Sequence, residues 1–261
     1  MVEFRWSKNK NRVPVIKDRE IDEYAEEVIR DYKPNMLTEV APMDYMHFIE
    51  SYLGLNLQFA DIYFGKTEEQ ILGATSFNDG DKLHIFNKEK ACKDNIVLKR
   101  GSIAIDSSLT EDRMERRQLF TGLHEGSHWL LHQLYYYRKL QGQMTFFEIS
   151  ANAACCRKSN IEPRVRRQLE TDEDFIEHQA SFCASALAMP KSIIYKITPT
   201  VISEAGVKGG KILLGRDDHA IAKEQVVKGI SDMFGVSRQA AEIRLRKLGI
   251  IVDSGASLIV A

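Results

Sequence analysis

The sequence predicts an α+β protein. A small mixed sheet and several helices are expected to form one large unit over residues 1–200, followed by a helical, helix-turn-helix-like segment over 201–261. Three observations lead there. Apolar residues recur at helical spacing from Asp18 and again in the tail. Short alternating segments fill the interval between Leu55 and Asp106. One apolar helix after them carries histidine and glutamate at metal-ligand spacing.

Composition narrows the functional classes. Of the 261 residues, 44% are apolar and 28% charged, ordinary values for a globular chain, and the net charge of −1 offers no global field for nucleic acid or an anionic membrane. No apolar run is long enough to span a bilayer, and the stretch Met1–Lys8 lacks the apolar core of a signal peptide. Cys92, Cys155, Cys156 and Cys183 show neither disulfide-framework spacing nor C-x-x-C. Free thiols and a cytoplasmic location, with no membrane partner, are the expectation.

Residues 1–17 are polar and basic and read as a loosely held arm. From Asp18, the residues Ile21, Tyr24, Ala25, Val28, Ile29 and Tyr32 repeat at helical spacing, giving an amphipathic helix that ends before Pro34. A second helix is expected from about Pro42, with proline in its first turn, to Tyr52, with Gly54 as the stop. Strands follow: Leu55–Phe59 alternates, Ile71–Phe77 is short and apolar, and Asn78–Asp81 marks a turn before Leu83–Phe86. Ile96–Asp106 reads as a strand pair or one bent strand, with Gly101 as turn or bulge. An edge strand at this place can pair with an extended peptide, although a covered structural strand is as good a reading.

The next helix, expected from near Glu111 to about Arg138, contains His124-Glu125-Gly126-Ser127-His128, an H-E-x-x-H pattern. Leu119, Leu123, Leu130 and Leu134 share one face, and the histidines lie off it. Residues four apart stand about 6 Å apart along the axis, so His124 and His128 can offer two imidazole nitrogens to one ion. Zinc accepts such nitrogens and keeps a position open in catalytic sites. Glu125, roughly 100° further round the helix, can take a proton from water there. His132 lies about 12 Å along the axis from His124, too far to share the ion, and is expected to cap, to hydrogen-bond or to sit at the surface. Tyr135 can reach a cleft as an oxyanion donor, but packing is its simpler role. Between about Gln141 and Glu170 the period weakens and Arg157, Lys158, Arg164, Arg166 and Arg167 cluster, the usual mark of a solvated face. Cys155 and Cys156 read as small apolar residues on a helix.

Two histidines need a third donor. A helix opening at Thr171–Asp174 with a capping-box-like start and ending at Pro190 supplies it. Glu177 shares a stripe with Ser181, Ala184 and Ala188, small residues that allow close approach to another helix. His178, one residue on and facing elsewhere, is the rival donor. Glu177 is favoured.

The pattern of Arg117, Phe120, Thr121, His124-Glu125-x-x-His128-Trp129-Leu130-Leu131-His132 and then Glu177-x-x-Ala180, Ala184, Leu187 and Met189-Pro190 resembles the ImmA/IrrE family of metallopeptidases. It spans roughly residues 18–195, including Ile71–Ala74 and Gly101–Asp106. The resemblance implies a zincin-like metallopeptidase domain of small mixed sheet plus helices, with Zn2+ held by His124, His128 and Glu177. It also implies Glu125 as general base, and a helix-turn-helix transcriptional repressor as the protein substrate. Gly126-Ser127, Ser181 and Ala188 depart from the family's usual residues without removing a ligand, and the long interval from His128 to Glu177 places an insertion at about 141–170.

After Pro199 the glycines Gly206, Gly209 and Gly210 mark a linker or hairpin. Ala220–Phe234 then reads as a helix, Gly235-Val236 as a turn, Ser237 as an N-cap and Arg238–Leu248 as a second helix stopped by Gly249. Arg238, Arg244, Arg246 and Lys247 can meet phosphates, which keeps nucleic acid open as a partner, but packing or docking is favoured for this segment. Two functions follow as expectations: a zinc endopeptidase acting on a repressor or, alternatively, a non-catalytic module that binds a repressor or DNA through its tail.

Overall fold

The structure, a computed structural model, describes residues 2, 6–64, 70–142, 154–157 and 169–253. Helix α1 (Asp18–Tyr32) opens with a capping box in which the Glu20 carboxylate accepts from the Lys17 amide. Its Ile21, Tyr24, Ala25, Val28 and Ile29 are buried, as the spacing predicts. Burial of each of Ile21, Val28 and Ile29 stabilises the fold by about 1.5–3 kcal/mol. Helix α2 (Tyr45–His47) and the π-helical turn Phe48–Tyr52 start later than the predicted Pro42. The reason is local: the Asp44 side chain accepts from the His47 amide and fixes the start there.

Strands β1 (Asn56–Ala60), β2 (Ile71–Thr75), β5 (Ser102–Asp106) and β6 (Ala154–Arg157) form a mixed sheet in the order β1-β5-β2-β6. β1 runs parallel to β5, and β2 is antiparallel to both β5 and β6. β3 (Asp81–Asn87) and β4 (Cys92–Leu98) make a separate antiparallel hairpin, so β4 and β5 do not pair as a single bent strand would. Gly101, at φ 81°, turns the chain between them. β5 is buried along its whole length and paired on both sides, which removes it as a free edge. The outer edge of β2 is covered by β6 from the predicted insertion. Cys155 and Cys156 therefore lie in a strand, not on a helix, while Lys158, Arg164, Arg166 and Arg167 fall outside the described residues.

Helix α3 (Glu115–Gly142) crosses this sheet, and α4 (Asp172–Ala188) packs against both α3 and α1. Leu119 and Leu123 are buried on α3, but Leu134 is 47% exposed. The buried face passes instead to Leu131, His132, Tyr135 and Tyr136. The amino-terminal arm is held more firmly than its composition suggests. Val13 is buried, Asn9 and Asn11 donate to Asp172 at the start of α4, and Pro14 offers its carbonyl to Gln179.

Helix α5 (Lys191–Glu204) runs through Pro199, where the sequence suggests a break. Proline leaves the Tyr195 carbonyl without its helical donor, yet Ile193, Ile194, Thr198 and Ile202 stay buried and keep the period across it. Beyond it, Gly206, Gly209 and Gly210 take positive φ and lead to β7 (Ile212–Leu214), which pairs in parallel with β8 (Ile251–Asp253). Between them lie α6 (Asp217–Phe234) and α7 (Arg238–Lys247), joined through left-handed Gly235, with the Ser237 hydroxyl accepting from the Ala240 amide. Ile212, Val226, Ile230, Phe234 and Leu245 of this tail belong to the same apolar core as α1, α3 and α4.

Candidate metal centre

Helix α3 can lie tight against its neighbours only because four positions lack bulk. A Cβ on Gly122 would stand 2.2 Å from a Tyr45 ring carbon. A Cβ on Gly73 of β2 would meet Thr121 at 2.8 Å and the Glu125 Cγ at 2.9 Å. On the facing helix α4, Ala180 and Ala184 are buried small residues. The result draws the middle of α3 between strand and helix, and His124, Glu125 and His128 are fully buried.

His124, His128 and Glu177 converge there as a group able to hold a metal ion, the only such group of three among the described residues. The two Nε2 atoms are 3.0 Å apart, and Glu177 places its oxygens 3.2 Å from His124 Nε2 and 3.6 Å from His128 Nε2. Donors around a tetrahedral ion with bonds of 2.0–2.1 Å are separated by about 3.3 Å, so the spacing fits. The rival donor His178 turns away and bonds Asp18 at 2.7 Å.

Hydrogen bonds set the imidazole tautomers. Gln179 donates from Nε2 to the Pro14 carbonyl, which leaves its Oε1 to accept from His132 Nε2 at 3.0 Å. Burial first, and the nearby His128 second, push the His132 pKa down to about 3, so this ring is neutral. Its Nδ1 is then an acceptor, and the His128 Nδ1 at 3.1 Å must donate to it. The proton sits on His128 Nδ1 and the lone pair on Nε2, pointing into the centre. His132 is thus neither a ligand nor a surface group; it orients one. At His124, Ser181 Oγ lies 3.3 Å from Nδ1 and leaves Nε2 for the same centre.

Charge is balanced within the group. Burial opposes a charged His124, but the hydrogen bond and charge of Glu177, with the charge of Glu125, hold its pKa above the ordinary imidazole value. At His128 burial prevails over Glu177 and the pKa falls. Burial alone would raise Glu177, yet His128 and His124 together hold it well below the usual carboxylate range. A neutral imidazole and an ionised carboxylate are the forms that ligate.

Glu125 faces β2, where the Thr75 hydroxyl donates to its Oε2 at 2.6 Å. Tyr135 uses its hydroxyl on Glu173 at 2.9 Å, in keeping with a packing role. The sequence gives no sign of Thr75, Gly73 or Gln179 as parts of the site, because each acts across a long chain separation. His132 alone carries a signal, four residues past His128 on the same stripe.

In the tail, Arg244 is buried rather than available to phosphate. It bonds Asp22 at 2.6 Å and the Met189 carbonyl at 3.1 Å. Arg246 pairs with Glu242 and Lys247 with Asp18, leaving Arg238 as the one of the four basic residues without an acidic partner among the described residues. No described helix is long and apolar enough to cross a membrane. No protein-family model and no curated protein matches the sequence.

Proposed function

We propose that the chain is a zinc-dependent endopeptidase with a zincin-like domain, similar to the ImmA/IrrE metallopeptidases, that cleaves a helix-turn-helix repressor. The observation that carries this reading is the convergence of His124, His128 and Glu177 at ligand spacing with a further buried carboxylate, Glu125, next to His124 in the chain. A structural ion has no use for that second carboxylate. Zinc, when bound, would supply Lewis-acid activation of a water and of the scissile carbonyl.

The chain's own residues divide the remaining work. His124 and His128 present Nε2 lone pairs because Ser181 and His132 occupy their other nitrogens. Glu177 brings the anionic donor from α4. Glu125 takes a proton from the attacking water and returns it to the leaving amine. The Thr75 hydroxyl fixes the Glu125 rotamer, and Gly73 lets β2 approach closely enough for that bond. The pairing of Arg244, Arg246 and Lys247 with carboxylates supports docking over DNA binding as the tail's role.

A search for new protein termini tests the reading, comparing cells that express the parent chain with cells that express Glu125→Gln, at rest and under stress. New ends that depend on Glu125, within a repressor, are expected. Identical termini in both cell lines under every condition would remove the peptidase reading.

A further inference from the structure

A cleft of about 430 Å3 lies between the start of α3, the outer face of α4 and helix α7. That size is within the roughly 300–1,000 Å3 of ligand-binding clefts. Two of its residues link it to the metal centre. Phe120 stands one turn before His124, and Ser181, one turn after Glu177, also touches His124 Nδ1. Phe120, Phe182 and Ile243 give it apolar walls, and Ile243 is 39% exposed on a helix whose other large aliphatic residue, Leu245, is buried.

The charged side chains that line the cleft have one sign. Five arginine and lysine side chains line it, and no carboxylate does among the described residues. Three are committed within the fold: Arg116 to Asp232, Arg244 to Asp22 and Lys247 to Asp18. Arg113 and Arg117 have no acidic partner among the described residues. Two unpaired guanidinium groups beside an apolar hollow complement a carboxylate next to an apolar side chain, since arginine binds carboxylates through paired, directional bonds.

We propose that this cleft docks the substrate chain and selects an apolar residue flanked by a carboxylate. The apolar side chain enters between Phe120, Phe182 and Ile243, and the carboxylate meets Arg117 and Arg113. This rests on the peptidase reading and names the chemistry of its substrate. A nucleic acid would satisfy the arginines but leave the apolar walls unfilled. Helix α7 moreover presents Gln239, Ala240 and Ile243 to the cleft, the face a DNA-reading helix would need to expose.

Fluorescence anisotropy on the full chain carrying Glu125→Gln, loaded with zinc, tests the proposal without cleavage. The probes are short end-capped peptides with leucine or phenylalanine flanked by glutamate, by glutamine or by lysine, and a labelled DNA duplex. The glutamate set should bind at least tenfold more tightly than the glutamine set, and the Arg113→Gln/Arg117→Gln pair should erase that difference. Ile243→Asp should weaken every peptide. Equal binding of the glutamate and glutamine sets, a preference that survives loss of both arginines, or binding of the DNA alone overturns the assignment. Neither arginine has an ion-pair partner among the described residues, so an unchanged thermal midpoint is the control for folding. The two readings fail separately: peptide selection without Glu125-dependent termini removes the peptidase and keeps the groove, whereas undiminished cleavage in the arginine double variant removes the groove and keeps the peptidase.

Discussion

A His132→Leu substitution takes out the middle link of the series His128–His132–Gln179–Pro14 while leaving an apolar side chain in the space. Two hydrogen bonds disappear, at 3.1 Å to His128 and 3.0 Å to Gln179, and both partners are buried. Each orphaned group costs about 1–3 kcal/mol. His128 can escape by moving its proton from Nδ1 to Nε2, but that places hydrogen where the metal needs a lone pair. Loss of an outer partner of this kind lowers metal affinity by about 10–100-fold. The expected result is therefore a zinc affinity reduced in that range, read by competition with a chromophoric chelator. The metal-free chain should also lose stability of about 2 kcal/mol, or roughly 4–8 °C in thermal midpoint for a chain of this size. A folded variant that binds zinc within twofold of the parent would refute the tautomer argument.

Three other perturbations test separate parts of the account. Asp22→Ala should destabilise the fold by about 3–5 kcal/mol because it strands buried Arg244, whereas Asp22→Ala with Arg244→Met should recover most of that loss in denaturant titrations. Gly73→Ala should cost about 1–3 kcal/mol by overpacking and displace the Glu125 carboxylate, so that turnover falls more than zinc affinity does. In the metal-free chain, Glu177→Gln should show a pH-dependent penalty. Glu177 has a depressed pKa, so its contribution is present above its reference value of 4.5 and is lost as pH falls. His124 has a raised pKa, so its share is complete below its reference value of 6.5 and fades as pH rises. The loss on substitution should peak between those two values; thermal midpoints that differ equally at pH 5.5 and pH 8 would contradict the pairing.

Local patterns account for most of what the sequence discloses. α1, α4 and the pair α6–α7 follow from helical spacing, caps and glycine stops that act within a few residues, as Thr171 and Ser237 illustrate. The triad was legible for a related reason: His124 and His128 are fixed by one helix, and Glu177 stands on the small-residue stripe of its partner. What stayed hidden depends on distant contacts. Asn9 and Asn11 pin the arm to Asp172, β6 reaches β2 across a long chain interval, and Thr75 meets Glu125 from another strand. Pro199 misleads because local chemistry opposes the helix while buried Ile194 and Ile202 hold it. Arg244 reads as a phosphate contact until Asp22, far earlier in the chain, is seen beside it.

The most direct test of the central claim is the zinc content of the purified chain, measured by elemental analysis for the parent, Glu125→Gln and Glu177→Ala. One equivalent is expected in the parent and in Glu125→Gln, and a near-complete loss in Glu177→Ala after dialysis. Full zinc retention by Glu177→Ala would contradict that claim.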